Sequence, residues 1–149
     1  MAPRIEEIIG SRFAVEIDSL VIASFKECSG LGGEIEVETY AEGGLNDYEH
    51  KLPGRTKFGN LTLKSGVANA VDFWHWFYKT AMGNVERKQV SIILYNHDRA
   101  DGKLGEAMRW NLLDAYPVKW EGPSFSASDS NVVVHTLELA HHGLELSIG

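Results

Sequence analysis

The chain contains a single cysteine, Cys28, so no disulfide can form within it. A reducing compartment is the simpler expectation. No apolar run approaches the ~18 residues that a membrane-spanning helix needs. The opening MAPRIEEIIG carries Glu6 and Glu7 where a signal peptide would be apolar. These absences predict a soluble protein without stable membrane insertion. It stays in the compartment where it is made unless lysis or a dedicated machine releases it. Positive charge is also scarce, with 14 Lys+Arg against 21 Asp+Glu and a net charge of -7. That balance argues against a surface that grips nucleic acid by counterion release, but not against nucleic acid passing close by. There are no internal repeats, linkers or low-complexity tracts, and no GxSxG nucleophile elbow.

What is present is a chain of 149 residues, which predicts one domain over 1–149. A chain of that length buries roughly 70% of its unfolded surface, so its core needs no metal or disulfide. Most of it alternates with period two. Phe13, Val15 and Ile17 alternate with Arg12, Glu16 and Asp18, and Asp18-Ser19 turns into a strand near Leu20–Cys28. Ser29–Gly33 is a glycine-rich break. Strands are predicted at Glu34–Tyr40, around Leu61 and Leu63, and from Val90 through Leu94. Asn96–Lys103 is turn chemistry centred on Asp101-Gly102. A long strand through Trp110 to Ala115 is expected to break at Pro117, Ser124–Asn131 to be a polar loop, and Val132–Leu146 to be a last long strand.

Residues 69–82 (NAVDFWHWFYKTAM) have helical spacing instead. Ala70, Phe73, Trp74, Phe77 and Ala81 share one face, with Asp72, His75 and Lys79 opposite. Asn69 suits an N-cap and Gly83-Asn84 a stop. Trp76 projects beside the polar face, either partly exposed and lying flat on its own sheet or anchoring a neighbouring subunit. The predicted fold is mainly β, an antiparallel barrel or sandwich of about eight strands with one flanking helix.

Residues that carry chemistry do not assemble into an active site. The cluster Gly30–Gly33 leads into Glu34-Ile35-Glu36-Val37-Glu38, a carboxylate-rich strand, whereas a phosphate loop must lead into a helix N-terminus. His135 and His141 on one strand face stand about 20 Å apart, too far for one metal, and His142 falls on the other face with Glu138. Cys28 has only Lys26 nearby as a basic neighbour and reads as a buried thiol. No enzyme, cofactor or metal site is predicted.

Two segments point elsewhere. Lys51–Gly66 (KLPGRTKFGNLTLKSG) starts as a basic loop on an acidic chain. Pro53 and Gly54 set a turn, Arg55 and Lys57 place two positive charges, and Phe58 is apolar with no core position in view. Such a loop suits contact with another copy of the chain. Glu34, Glu36 and Glu38 share one strand face, with Ile35 and Val37 on the other. They form a solvated face, an edge protected by charge, or the wall of a wide acidic surface on which negative cargo does not stick.

These residues resemble the tail tube proteins of contractile phages and of phage-derived contractile injection systems. The resemblance rests on FAVEIDSL (13–20), FKECSGLGGEIEVE (25–38), Gly43-Gly44 through KLPGRTKFGNLTLKSG, Trp74-His75-Trp76, RWNLLDAYPVKWEGPS (109–124) and TLELAHHGL (136–144), in that order across nearly the whole chain. It implies a fold similar to the haemolysin-coregulated protein of type VI secretion. It implies hexameric rings stacked into a hollow tube inside a sheath, with baseplate and tape-measure proteins as further partners and DNA or protein cargo in the lumen. The particle would be assembled in the bacterial cytoplasm. By the same resemblance, Gly43–Gly59 is an arm that reaches a neighbouring subunit or ring. Lys51, Leu52, Pro53, Gly54, Arg55, Thr56, Lys57, Phe58 and Trp76 are the candidate inter-subunit contacts. Arg55 and Lys57 would form salt bridges, and Glu34, Glu36 and Glu38 would line the lumen. His135 and His142 depart from the family, which is expected to carry acidic side chains there. The rival reading is a cupin-like small-molecule or metal-binding β-barrel, which needs His and Glu clustered on facing strands. A sheath or baseplate component is a weaker third, because sheath subunits are much longer.

Overall fold

The computed structural model describes residues 13–18, 20–22, 25–40, 50–65, 70–96, 105–127 and 133–148. In chain order the elements are β1 (Phe13–Ile17), β2 (Leu20–Ile22), β3 (Phe25–Ser29), β4 (Gly33–Tyr40), β5 (His50–Phe58), β6 (Leu61–Ser65), α1 (Ala70–Ala81), β7 (Lys88–Asn96), β8 (Gly105–Glu121), β9 (His135–Ala140) and β10 (Gly143–Ile148). All strand pairings among them are antiparallel. The expected Asn69 cap and most of the expected 96–103 turn lie outside the described residues.

Eight strands form one sheet in the order β2-β1-β7-β8-β9-β6-β3, with β10 also on β8. The sheet folds over along β8, which pairs first with β7 and β10 and then with β9. β9 and β10 lie end to end along the same edge of β8. The register runs from Tyr116↔Ala140 to Leu113↔Gly143, interrupted at His141-His142. The expected last strand is therefore two strands with a break between them.

Backbone irregularities sit at this corner. β8 carries one extra residue opposite β7 between Ala115 and Leu112, where Asp114 adopts φ +53°. A second shift follows between Pro117 and Lys119. Bulges of this kind let a strand pass from one layer of a sandwich to the other. Pro117 does not end the strand as expected. Proline's missing N–H is tolerated where the ladder is already irregular, and Pro117 still pairs with Leu139.

The core lies between the two layers. β6 and β9 alternate buried and half-buried residues along their length. Leu61, Leu63, Leu137 and Leu139 face Val15, Ile17, Val90, Ile92, Leu112 and Ala115. Burying each such side chain contributes about 1.5–3 kcal/mol. Helix α1 closes this core with Phe73 and Trp76. Phe73 packs 5.6 Å from the Phe25 ring and 5.6 Å from His135, which is itself buried. The helix ends as expected: Gly83 takes φ +90°, and the Gly83 and Asn84 amides donate to the carbonyls of Thr80 and Lys79.

The buried helix face is rotated from the predicted one. Trp76 is only 4% exposed, whereas Trp74 is exposed and stacks edge-on against Trp120 at 4.9 Å. The indole of Trp76 buries because its Nε1–H donates to the Glu86 carbonyl at 2.8 Å. Its one polar atom is thereby satisfied. This overturns the reading of Trp76 as partly exposed and removes the basis for it as an anchor on a neighbouring subunit.

Candidate functional site: an exposed ribbon

Residues 51–58 are not the expected loop. They belong to β5, which pairs with β4 from Gly33↔Phe58 to Tyr40↔His50 as a separate two-stranded sheet. The ribbon continues the β3–β6 ladder outward, joined at its base by the Gly59 amide donating to the Gly32 carbonyl at 3.2 Å. That junction needs glycine. Gly30 has φ +98°, and a Cβ there would lie 2.0 Å from the Asn60 carbonyl oxygen. The glycine cluster is thus the joint of a projecting ribbon.

Pro53-Gly54 is a bulge within β5, not a turn. Ile35 opposes Thr56 but Val37 opposes Pro53, so β5 carries one extra residue between them. Proline fits a bulge because it has no amide to pair. Gly54 lies close over Glu36, whose carbonyl oxygen would be 3.0 Å from an added Cβ.

Cross-strand partners share a face, so the register sorts the side chains. One face carries Glu34, Glu36 and Glu38, with Lys57 opposite Glu34 and Leu52 opposite Glu38. Lys57 is already ion-paired to Glu36 within the ribbon, which lowers the mutual repulsion of the carboxylates. Arg55, in the bulged segment, has no ion-pair partner among the described residues. The other face carries Ile35, Val37, Pro53, Thr56 and Phe58. It is open: Ile35 is 55% exposed, Val37 60% and Phe58 39%. Away from its base, where the Phe58 ring meets His141, the ribbon's apolar side chains are open to solvent. Two-stranded ribbons are marginally stable alone in water.

At the ribbon base is an open groove of about 460 Å³, lined by Gly30–Gly33, Glu34 and Lys57–Gly59. His141 sits nearby, with its ring 5.8 Å from that of Phe58. Sequence reasoning set His141 aside as a metal ligand, leaving it as a surface or interface imidazole. Its position at the β9–β10 break, beside a residue distant in sequence, is a tertiary feature that no local pattern announces.

Elsewhere the titratable groups have structural roles. Burial pushes the Cys28 thiol up to about 12, so it stays protonated and unreactive. His142 approaches Asp114 at 3.6 Å and Arg87 at 3.0 Å across the β8 corner. Burial works against the Arg109 charge. Its hydrogen bond to Glu106 and the charges of Glu106 and Glu16 outweigh burial and raise its pKa. Among the described residues no three His, Cys, Asp or Glu side chains gather as a metal site, and no helix is long and apolar enough to cross a membrane.

A bent sandwich that projects a ribbon open on both faces has a surface suited to assembly with other subunits. The match to the T4-like virus tail tube protein gp19 family spans residues 10–145, and the chain belongs to that family. It is similar to a chain in the sheath–tube complex of an extracellular contractile injection system, PVC, in its extended state. There the identity is 27%, the TM-score 0.85, and 97% of this chain and 94% of that one are covered. A chain in the tube-terminating cap of the anti-feeding prophage is 25% identical with a TM-score of 0.85, covering 100% and 95%. Hcp1 from Flavobacterium johnsoniae, 14% identical with a TM-score of 0.56 over 93% and 96%, shares the fold. No curated protein matches the chain significantly. The chain is a tail tube protein of contractile-tail type, and the cupin-like alternative has no support in these relatives.

Proposed function

We propose that this tail tube protein forms six-membered rings that stack into the hollow inner tube of a contractile phage tail or injection particle, without enzymatic activity of its own. The tube would be assembled in the bacterial cytoplasm within a sheath and on a baseplate, its length set with a tape-measure protein. Its lumen would conduct DNA or protein. The carrying observation is the ribbon. Ile35 and Val37 are exposed on a separate two-stranded ribbon held to its own body only at the base among the described residues, and docking on a neighbouring copy would bury them. The contacts are assigned to Lys51, Leu52, Pro53, Gly54, Arg55, Thr56, Lys57 and Phe58. Arg55, which has no ion-pair partner among the described residues, reaches an acidic group on that neighbour, and Glu34, Glu36 and Glu38 lie on or near the lumen. Its likeness to chains of a sheath–tube complex and of a tube-terminating cap supports this reading.

Negative-stain electron microscopy of the purified chain tests it: rings or tubes are expected. Strictly monomeric behaviour at every concentration, and in the source particle, would sink the proposal. A variant with Arg55→Glu and Lys57→Glu should keep the fold but shorten or abolish tubes. Unchanged tube length and yield would reject the role given to β5.

A further inference from the structure

His141 occupies the break between β9 and β10, and both of its ring nitrogens face backbone carbonyl oxygens. Nδ1 lies 3.0 Å from the Gly143 oxygen, and Nε2 lies 3.0 Å from the Gly59 oxygen. These are ordinary N–H···O lengths. A carbonyl only accepts, and a neutral imidazole has one N–H. Both hydrogen bonds form together only when the ring carries two protons. In the neutral ring, one contact sets a nitrogen lone pair against an oxygen lone pair.

The two carbonyls belong to different parts of the molecule. Gly143 begins β10 on the sandwich, whereas Gly59 closes the base of the β4–β5 ribbon beside the Gly59–Gly32 bond. We propose that His141 is a proton-operated latch. With two protons it ties the ribbon base to the sandwich. With one it keeps the local, partly buried contact to Gly143 and releases the exposed contact to Gly59. The ribbon's angle to the body is then more closely held at acid pH.

The charged groups on the elements that meet here include Glu34, Glu36 and Glu38 on β4, Lys51, Arg55 and Lys57 on β5, Lys64 on β6, Glu106, Arg109, Asp114, Lys119 and Glu121 on β8, Glu138 on β9 and Glu145 on β10. Lys57 is paired with Glu36, Lys64 with Glu27, and Asp114 with His142. Glu138 accepts from the Asn60 side chain at 3.2 Å, a second tie at the same joint that does not depend on the His141 proton. His141 itself has no carboxylate partner among the described residues. The proton on its second nitrogen is therefore held by Gly59 or Gly143.

The test is ¹⁵N NMR of the imidazoles in the full chain, in solution for unassembled protein and by magic-angle spinning for tubes. The pH is swept from about 5 to about 8, where imidazoles ordinarily titrate. His141 should show two protonated nitrogens at the acid end and one at the other. Over the same midpoint the Gly59 amide should lose roughly tenfold in exchange protection, after correction for intrinsic pH dependence, as a charged-donor hydrogen bond is lost. His141→Gln should give low protection that no longer changes with pH, and His75→Gln, on the exposed helix face, should keep the wild-type profile. The proposal is overturned by a His141 ring that is singly protonated throughout. It is equally overturned by Gly59 protection that ignores the titration, or by a pH response that survives in His141→Gln. If that variant fails to fold, the wild-type spectra and exchange alone decide. The joint lies within one protomer, so it can fail while the tube reading stands, and the reverse.

Discussion

The apolar face of the ribbon gives a direct handle on assembly. Ile35 and Val37 are 55% and 60% exposed and share a face away from the three glutamates. Complete burial of such a side chain contributes about 1.5–3 kcal/mol. Roughly half of that is still available when a neighbour covers them. Replacing both by threonine keeps the β-branched shape that suits a strand while exchanging the ethyl branch of Ile35 and one methyl of Val37 for hydroxyls. The pair should lose about 1.5 kcal/mol of association free energy per subunit. At 1.4 kcal/mol per tenfold, the critical concentration for tube formation rises roughly tenfold. Substitutions at exposed positions outside special features usually change folding stability by no more than about 0.5 kcal/mol, so the unassembled protein should melt almost as before.

Sedimentation of tubes over a range of total protein concentration gives the critical concentration. Circular dichroism of dilute, unassembled protein gives the melting temperature. An unchanged critical concentration would show that this face stays open in the tube. A large fall in the melting temperature would show that the two side chains stabilise the protomer itself. Either result refutes the argument made from their exposure.

Trp76→Ala removes a buried indole from the core and leaves the Glu86 carbonyl without its donor. It should cost about 3–5 kcal/mol of folding stability, measured by urea denaturation, in contrast to a near-neutral substitution of the exposed His75. Cys28, its thiol pushed up to about 12 by burial, should resist alkylation in the native protein from pH 7 to about 9, since the thiolate is the reacting form. It should react rapidly once the protein is unfolded in denaturant, and fast native labelling would contradict the burial.

How far the fold is legible in the sequence depends on where each residue is buried. β6 and β9 alternate because one face meets the core and the other does not, and that periodicity is visible in the chain. β8 is less legible. A rule that proline ends strands ignores that Pro117 occupies an irregular ladder, where no amide is required. Trp76 is misread because helical periodicity weighs apolar positions alike. The carbonyl that accepts the indole proton comes from Glu86, beyond the helix, and no spacing within the helix shows it.

The ribbon fails for a different reason, and that reason bears on function. With both faces of β5 exposed, nothing in the protomer imposes alternation on it, and Pro-Gly in a basic segment looks like a turn. The residues that oppose this reading are Ile35 and Val37, exposed apolar side chains on a separate two-stranded ribbon. Solvent alone gives no reason to place them there, since a free edge is better protected by charge, as on the Glu34–Glu38 face. Periodicity is a record of burial, and a surface buried only in an assembly carries the record of its neighbour. The segment whose pattern the protomer does not explain is the one that a second subunit would cover.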